Sequence, residues 1–107
     1  MRYTEETVGF DDILDALGHI QRRKLLVALL DHNPQDESPA VIAKEDIEAL
    51  DNLVSMKHVH LPKLETYGFI DWDQEHNEVH KGPNFDEIKP LLELMQGHED
   101  ELPADWV

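Results

Sequence analysis

Ile47–Asn84 reads IEALDNLVSMKHVHLPKLETYGFIDWDQEHNEVHKGPN, and the order of its apolar, glycine and turn residues decides the fold. Leu50, Leu53, Val54, Leu61 and Leu64 share one stripe at helical spacing, with Met56 and Val59 to one side of it. Asp51 or Asn52 can cap the start of that helix, because either side chain satisfies free backbone N–H groups. Gly68 stops it. Phe69–Asp73 then alternates as a half-buried strand does, Gln74–Asn77 forms a polar turn, and Glu78–Lys81 is the return strand, ended by Gly82-Pro83-Asn84. Pro62 interrupts the helical stripe. A proline in a helix interior removes a hydrogen bond and costs about 3 kcal/mol, so a bent helix is expected there rather than two separate elements.

Working outward, residues 1–9 read as a loose arm. Phe10, Ile13, Leu14 and Leu17 sit at helical spacing and predict a short first helix that stops near Gly18. Ile20, Leu25, Leu26, Leu29 and Leu30 predict a second, ended by Asn33-Pro34. Gln35–Pro39 is a polar loop, and Val41, Ile42, Ile47 and Ala49 suggest another helix between Ala40 and Ala49. Downstream of the hairpin, Ile88, Leu91, Leu92 and Met95 mark a last helix closed by Gly97. Pro90 fits it only within the first turn, where a missing N–H is harmless, which places the N-cap at Asp86. The chain divides into an arm (1–9), one domain (10–97) and an acidic tail (98–107). The fold class is mainly α with a small β-hairpin, that is, α+β.

At 107 residues the chain is one domain, and a 40% hydrophobic content supports a compact core. The absence of cysteine excludes disulfides and thiolate metal sites. The start, MRYTEETVGFDD, has no apolar run and is not a signal peptide. Leu25–Leu30, the longest apolar run, is far short of a membrane span, so a cytoplasmic protein without membrane contact is expected. Twenty-four acids against nine Lys and Arg give a net charge of −15. Such a balance raises disorder as one alternative, against which stand plentiful, periodic apolar residues. The reading favoured here is adaptation to a salt-rich cytoplasm, where self-repulsion is screened as the Debye length falls to about 3 Å at 1 M salt. The acids are unevenly spread: Ala16–Leu30, with Arg22, Arg23 and Lys24, and Asn52–Leu64, with Lys57 and Lys63, contain none.

Helix, glycine stop and hairpin in that order is the trace of a winged helix, a module that usually binds DNA. With the apolar stripe facing the core, Ser55, His58, Val59, Pro62 and Lys63 fall on or near the outer face. A helix fits the major groove of B-DNA, where Ser and His can hydrogen-bond to base edges, Val can touch a thymine methyl and Lys supplies phosphate charge. Lys57 and the hairpin residues His76, Asn77 and Lys81 are the expected backbone contacts, and Arg22 and Arg23 are further phosphate candidates. The bland alternative is an amphipathic helix whose polar face meets water, beside a hairpin that only completes the core.

Histidine raises the question of metal, since His58, His60, His76 and His80 lie on the predicted helix and hairpin. His58 and His60 point apart on a helix, and His76 with His80 lacks a third ligand for zinc. No metal and no cofactor are expected, and the histidines read as packed or solvated groups. Catalysis has little support: there is no Gly-rich phosphate loop, and neither Ser38 nor Ser55 sits in a nucleophile elbow. The first and last helices carry apolar faces that could pair across a two-fold axis, setting two reading heads about one DNA turn apart; a homodimer is expected.

Val54–Asp73, VSMKHVHLPKLETYGFIDWD, resembles the winged-helix domain widespread in haloarchaeal proteins of presumed regulatory function, with His60-Leu61-Pro62-Lys63-Leu64 and Gly68 as the matching core motif. Ala16–His32, ALGHIQRRKLLVALLDH, looks like that family's opening helix pair and is similar to the start of arsenical-resistance-type repressors. The resemblance covers roughly residues 10–95. It implies a winged helix-turn-helix fold and a sequence-specific, DNA-binding transcriptional regulator of a halophilic archaeon. The recognition helix, about 51–67, would lie in the major groove of double-stranded DNA, and the wing, about 69–81, on the backbone. The alternative is a winged-helix protein–protein interaction module without DNA binding, using Trp72, Trp106 and the acidic surface.

Overall fold

A computed structural model describes residues 8–33, the backbone of 35–36, and residues 54–107. The predicted helix between Ala40 and Ala49, the cap at Asp51 or Asn52, the core positions Leu50 and Leu53, and the arm up to residue 7 lie outside the described residues. The described elements are α1 (Phe10–Ala16), α2 (Ile20–Asp31), β1 (Gln35–Asp36), a π turn over Met56–His60 that continues without a break into α3 (Leu61–Thr66), β2 (Ile70–Asp73), β3 (Glu78–Lys81), α4 (Phe85–Gln96) and a 3₁₀ turn over Glu99–Glu101. The chain is mainly helical with a small antiparallel hairpin. No described helix is long and apolar enough to cross a membrane.

The hairpin pairs Ile70 with Lys81, Asp71 with His80, Trp72 with Val79 and Asp73 with Glu78. Side chains alternate between faces along a strand, so Ile70, Trp72, Val79 and Lys81 point inward and Asp71, Asp73, Glu78 and His80 outward. β1 adds to the free edge of β3, giving the order β1-β3-β2. Gln35 and Asp36 were expected in a loop; main-chain pairing to Val79 and Glu78 makes them an edge strand instead. The Asn33 carboxamide locks the junction by accepting from the Lys81 backbone N–H at 3.0 Å.

α2 contributes Leu25, Leu26 and Leu29 to a core shared with Leu61, Leu64, Phe69, Ile70, Val79, Phe85, Ile88 and Leu92. Two positions differ from the apolar stripe: Val54 is 57% exposed, and Met56 is fully buried. The π turn explains both. Its wide turn bonds the Leu61 N–H to the Met56 carbonyl, five residues back. It thereby sets Met56, rather than Val54, on the same side as Leu61 and Leu64. The backbone stays right-handed helical through Ser55, His60 and Leu61, so Pro62 sits in one continuous helix, immediately after the turn that accommodates it.

The helix ends as the sequence predicts, with Gly68 at φ +79°. The Phe69 N–H bonds to the Leu64 carbonyl at 3.1 Å and the Gly68 N–H to the Glu65 carbonyl at 2.9 Å. That pair is a Schellman motif, with Leu64 and Phe69 as its apolar contact. Asn84 then ties the end of the hairpin to the end of the helix: its carboxamide donates to the Tyr67 carbonyl at 3.0 Å and its backbone N–H to the Gly68 carbonyl at 2.7 Å.

α4 begins at Phe85 with Asn84 as its N-cap, so the predicted cap at Asp86 falls inside the helix and Pro90 lies in the second turn. Asp86 and Pro90 are both exposed, and water can serve the Asp86 carbonyl that a proline cannot bond. The segment 98–107 is anchored to the domain by Trp106. Trp106 is 7% exposed in the core, and its carbonyl accepts from the Arg23 guanidinium at 2.7 Å.

Candidate nucleic-acid interface

The described part of the predicted reading helix divides into two chemical environments. Its first half is open. Lys57, His58 and Val59 are exposed, and Ser55 is half-buried. Lys57 and His58 face the hairpin across a groove of about 370 Å³ that is also lined by Trp72, Gln74 and Asn77. The structure thus brings together three DNA-contact candidates, Lys57, His58 and Asn77, with Trp72, a candidate partner anchor by sequence, and adds Gln74 to them. Gln74 carried no signal beyond a polar turn, and its place on the groove comes from the hairpin register. None of the five groove residues is acidic. Asn77 holds φ +54° at the turn, a conformation that asparagine tolerates better than most residues.

The second half of the helix is engaged inside the protein. Lys63 donates to the Asp15 carboxylate at 2.7 Å, and Tyr67 Oη–H donates to the same oxygen. The Lys63 hydrogen bond, then that of Tyr67, holds the Asp15 carboxyl below its ordinary range. Lys63 was expected to face a duplex; it ties the helix to α1 instead. His60 is 3% exposed, its ring 4.3 Å from that of His19. His60 Nδ1 lies 3.0 Å from Arg22 Nη1. Arginine can only donate, so Nδ1 is the acceptor and the imidazole proton sits on Nε2. Nε2 is buried without a partner among the described residues. Burial, then the neighbouring His19, Arg22 and Lys63, push the His60 pKa down to about 4.

Arg22 and Arg23 were expected to reach phosphate, and both turn inward. Arg22 donates to the carbonyls of Ala16 at 3.0 Å and Asp15 at 2.8 Å. Arg23 donates to the carbonyls of Leu17 at 2.7 Å, Trp106 at 2.7 Å and Asp105 at 3.0 Å. The cause is local. α1 is seven residues long with no basic residue in its last turn, and the last carbonyls of a helix need donors from elsewhere. The two guanidiniums, one turn into α2, supply them.

The hairpin candidates His76 and Lys81 also have intramolecular partners. His76 Nδ1 is 2.8 Å from an Asp73 carboxylate oxygen, a contact that draws the Asp73 pKa down. Lys81 Nζ stands 5.2 Å over the Phe85 ring, and Asn77 lies at the groove. Trp106, a candidate partner anchor by sequence, is buried, whereas Trp72 is half-buried and lines the groove. The tail packs beside Leu17, Arg23 and Met95, and none of its residues lines the groove. The chain matches no known protein family, no curated protein and no solved structure.

Proposed function

We propose that the chain is a winged helix-turn-helix protein that binds double-stranded DNA as a cytoplasmic transcriptional regulator, in an organism with a salt-rich interior. One observation carries this reading: the groove between the exposed half of the helix and the hairpin, which gathers Lys57, His58, Gln74 and Asn77 around Trp72, with no acid among the described residues that line it. On a chain of net charge −15, such a patch repels a phosphate backbone less than an acid-lined surface does. His58 and Val59 project beside it at the edge that would approach bases. Phe10 and Leu14 on α1 and Leu94 on α4 are exposed apolar residues, which supports pairing of two copies through the first and last helices.

The reading has a quantitative signature. With Arg22, Arg23 and Lys63 held internally, the basic residues that line the groove of each protomer are Lys57 and His58. The slope of log K against log salt is about −0.9 per neutralised phosphate, so a shallow slope of about −1 to −2 per protomer is expected. The test is selection from fragmented genomic DNA in several-molar KCl. Enrichment of a recurrent sequence, lost in Lys57→Glu with unchanged circular dichroism, supports the regulator. Failure of the intact chain to enrich any sequence refutes it. Lys63→Glu is unsuited to this purpose, because it would set a carboxylate against Asp15.

A further inference from the structure

We propose that the outer face of the β2–β3 hairpin binds a divalent transition-metal ion of the Zn²⁺, Co²⁺ or Ni²⁺ type through Asp73, Glu78 and His80. The hairpin register puts Asp73 directly opposite Glu78, with His80 two residues along β3 on the same face. One ligand atom from each residue lies within 4.8 Å of the other two. An ion with tetrahedral bonds of about 2.1 Å sets its ligand atoms about 3.4 Å apart. The remaining gap of up to about 1.4 Å is within reach of side-chain rotation, because all three residues are half-exposed. The paired strands hold the three Cα positions fixed.

The charge arrangement points to a cation independently of the distances. Directly opposed like charges on a ladder destabilise it. The charged side chains paired with these two carboxylates among the described residues are histidines: His76 with Asp73 at 2.8 Å and His80 with Glu78 at 3.4 Å. Lys81, the lysine on β3, belongs to the opposite face and stands over Phe85. The ladder therefore sets two carboxylates at one spot. A divalent ion cancels their charge and uses neutral His80 as a ligand. His76, hydrogen-bonded to Asp73, serves as the outer contact that orients a ligating carboxylate. A mixed nitrogen and oxygen set suits zinc, cobalt and nickel, whereas calcium and magnesium favour oxygen alone. The donors that complete the set with His80 are Glu78, two residues before it on β3, and Asp73, across the ladder on β2.

The site is independent of DNA binding and is tested with metal alone. The full chain is titrated with Zn²⁺ by calorimetry and with Co²⁺ by visible absorption. The expected result is one saturable equivalent at micromolar metal, a cobalt spectrum showing nitrogen and oxygen coordination, and no competition from Ca²⁺. Asp73→Asn and His80→Ala each weaken binding by at least tenfold with unchanged circular dichroism. Glu78→Gln gives a third reading should either of those fail to fold. Absence of saturable binding at micromolar Zn²⁺, or wild-type binding in the folded variants, overturns the proposal.

Discussion

Acidification should destabilise this protein through His60 before its carboxylates titrate. Nδ1 of His60 accepts from the Arg22 guanidinium at 3.0 Å. A second proton on the ring would have to sit on Nδ1, facing that donor in a buried site. The folded state therefore keeps the ring neutral down to about pH 4, against an ordinary value of 6.5. The folded pKa of this base is depressed, so its contribution to stability is fully present above pH 6.5 and falls as the unfolded chain takes up a proton that the folded chain refuses. At about 1.4 kcal/mol per pKa unit, stability drops by about 2 kcal/mol between pH 7 and pH 5 and levels off near a loss of about 3 kcal/mol below pH 4. The assay is urea unfolding at fixed ionic strength across that range, on the wild type and on His60→Gln, whose carboxamide oxygen can still accept from Arg22 but does not titrate. The variant should lose most of the slope between pH 7 and pH 5. Parallel profiles for the two proteins would refute the assignment of the buried neutral ring.

Gly68→Ala forces a left-handed conformation, at about 1–2 kcal/mol, on a residue whose added Cβ would lie 2.6 Å from the Asn84 carboxamide nitrogen; a loss of about 2 kcal/mol is expected in denaturant unfolding. Gly97→Ala, at an ordinary helical φ of −68°, should leave stability unchanged or raise it slightly. Trp106→Ala empties a core position at the end of the chain and should cost about 3 kcal/mol; a loss under about 1 kcal/mol would mean that the tail is merely laid on the surface.

The sequence was most legible where one residue type has one physical use. Gly68 could be read as a helix stop because a left-handed residue there is nearly always glycine or asparagine, and the hairpin because its alternation is clear and its turn polar. α1 and α2 were placed to within a residue or two by apolar spacing alone. The misreadings share a cause: they depend on partners distant in the chain. β1 is two polar residues with no pattern of their own, and their strand character comes from the edge of β3. Arg22 and Arg23 looked like phosphate ligands because nothing along the sequence says that the carbonyls ending α1 lack donors. Trp106 sits in an acidic segment and joins the core where Arg23 holds the backbone at Asp105 and Trp106. Val54 and Met56 exchanged roles because an apolar stripe drawn at α-helical spacing fails wherever a turn is wider. Of the candidate interface, the cluster Lys57, His58 and Asn77 was readable, and the inward turn of Lys63 was not, since Asp15 lies 48 residues away.

The π turn at Met56–His60 acts as a one-residue phase shifter in the helix. Each residue advances an α-helix by about 100°. Deleting one residue here and restoring regular α geometry would swing Lys57 and His58 round the axis by roughly that angle, out of line with the hairpin, while Leu61 and Leu64 kept their seats. Single-residue deletions and insertions between Ser55 and His60 should therefore disconnect the groove from the core at modest cost in folding, which makes this short stretch the natural place to retune what the surface meets without rebuilding what lies beneath it.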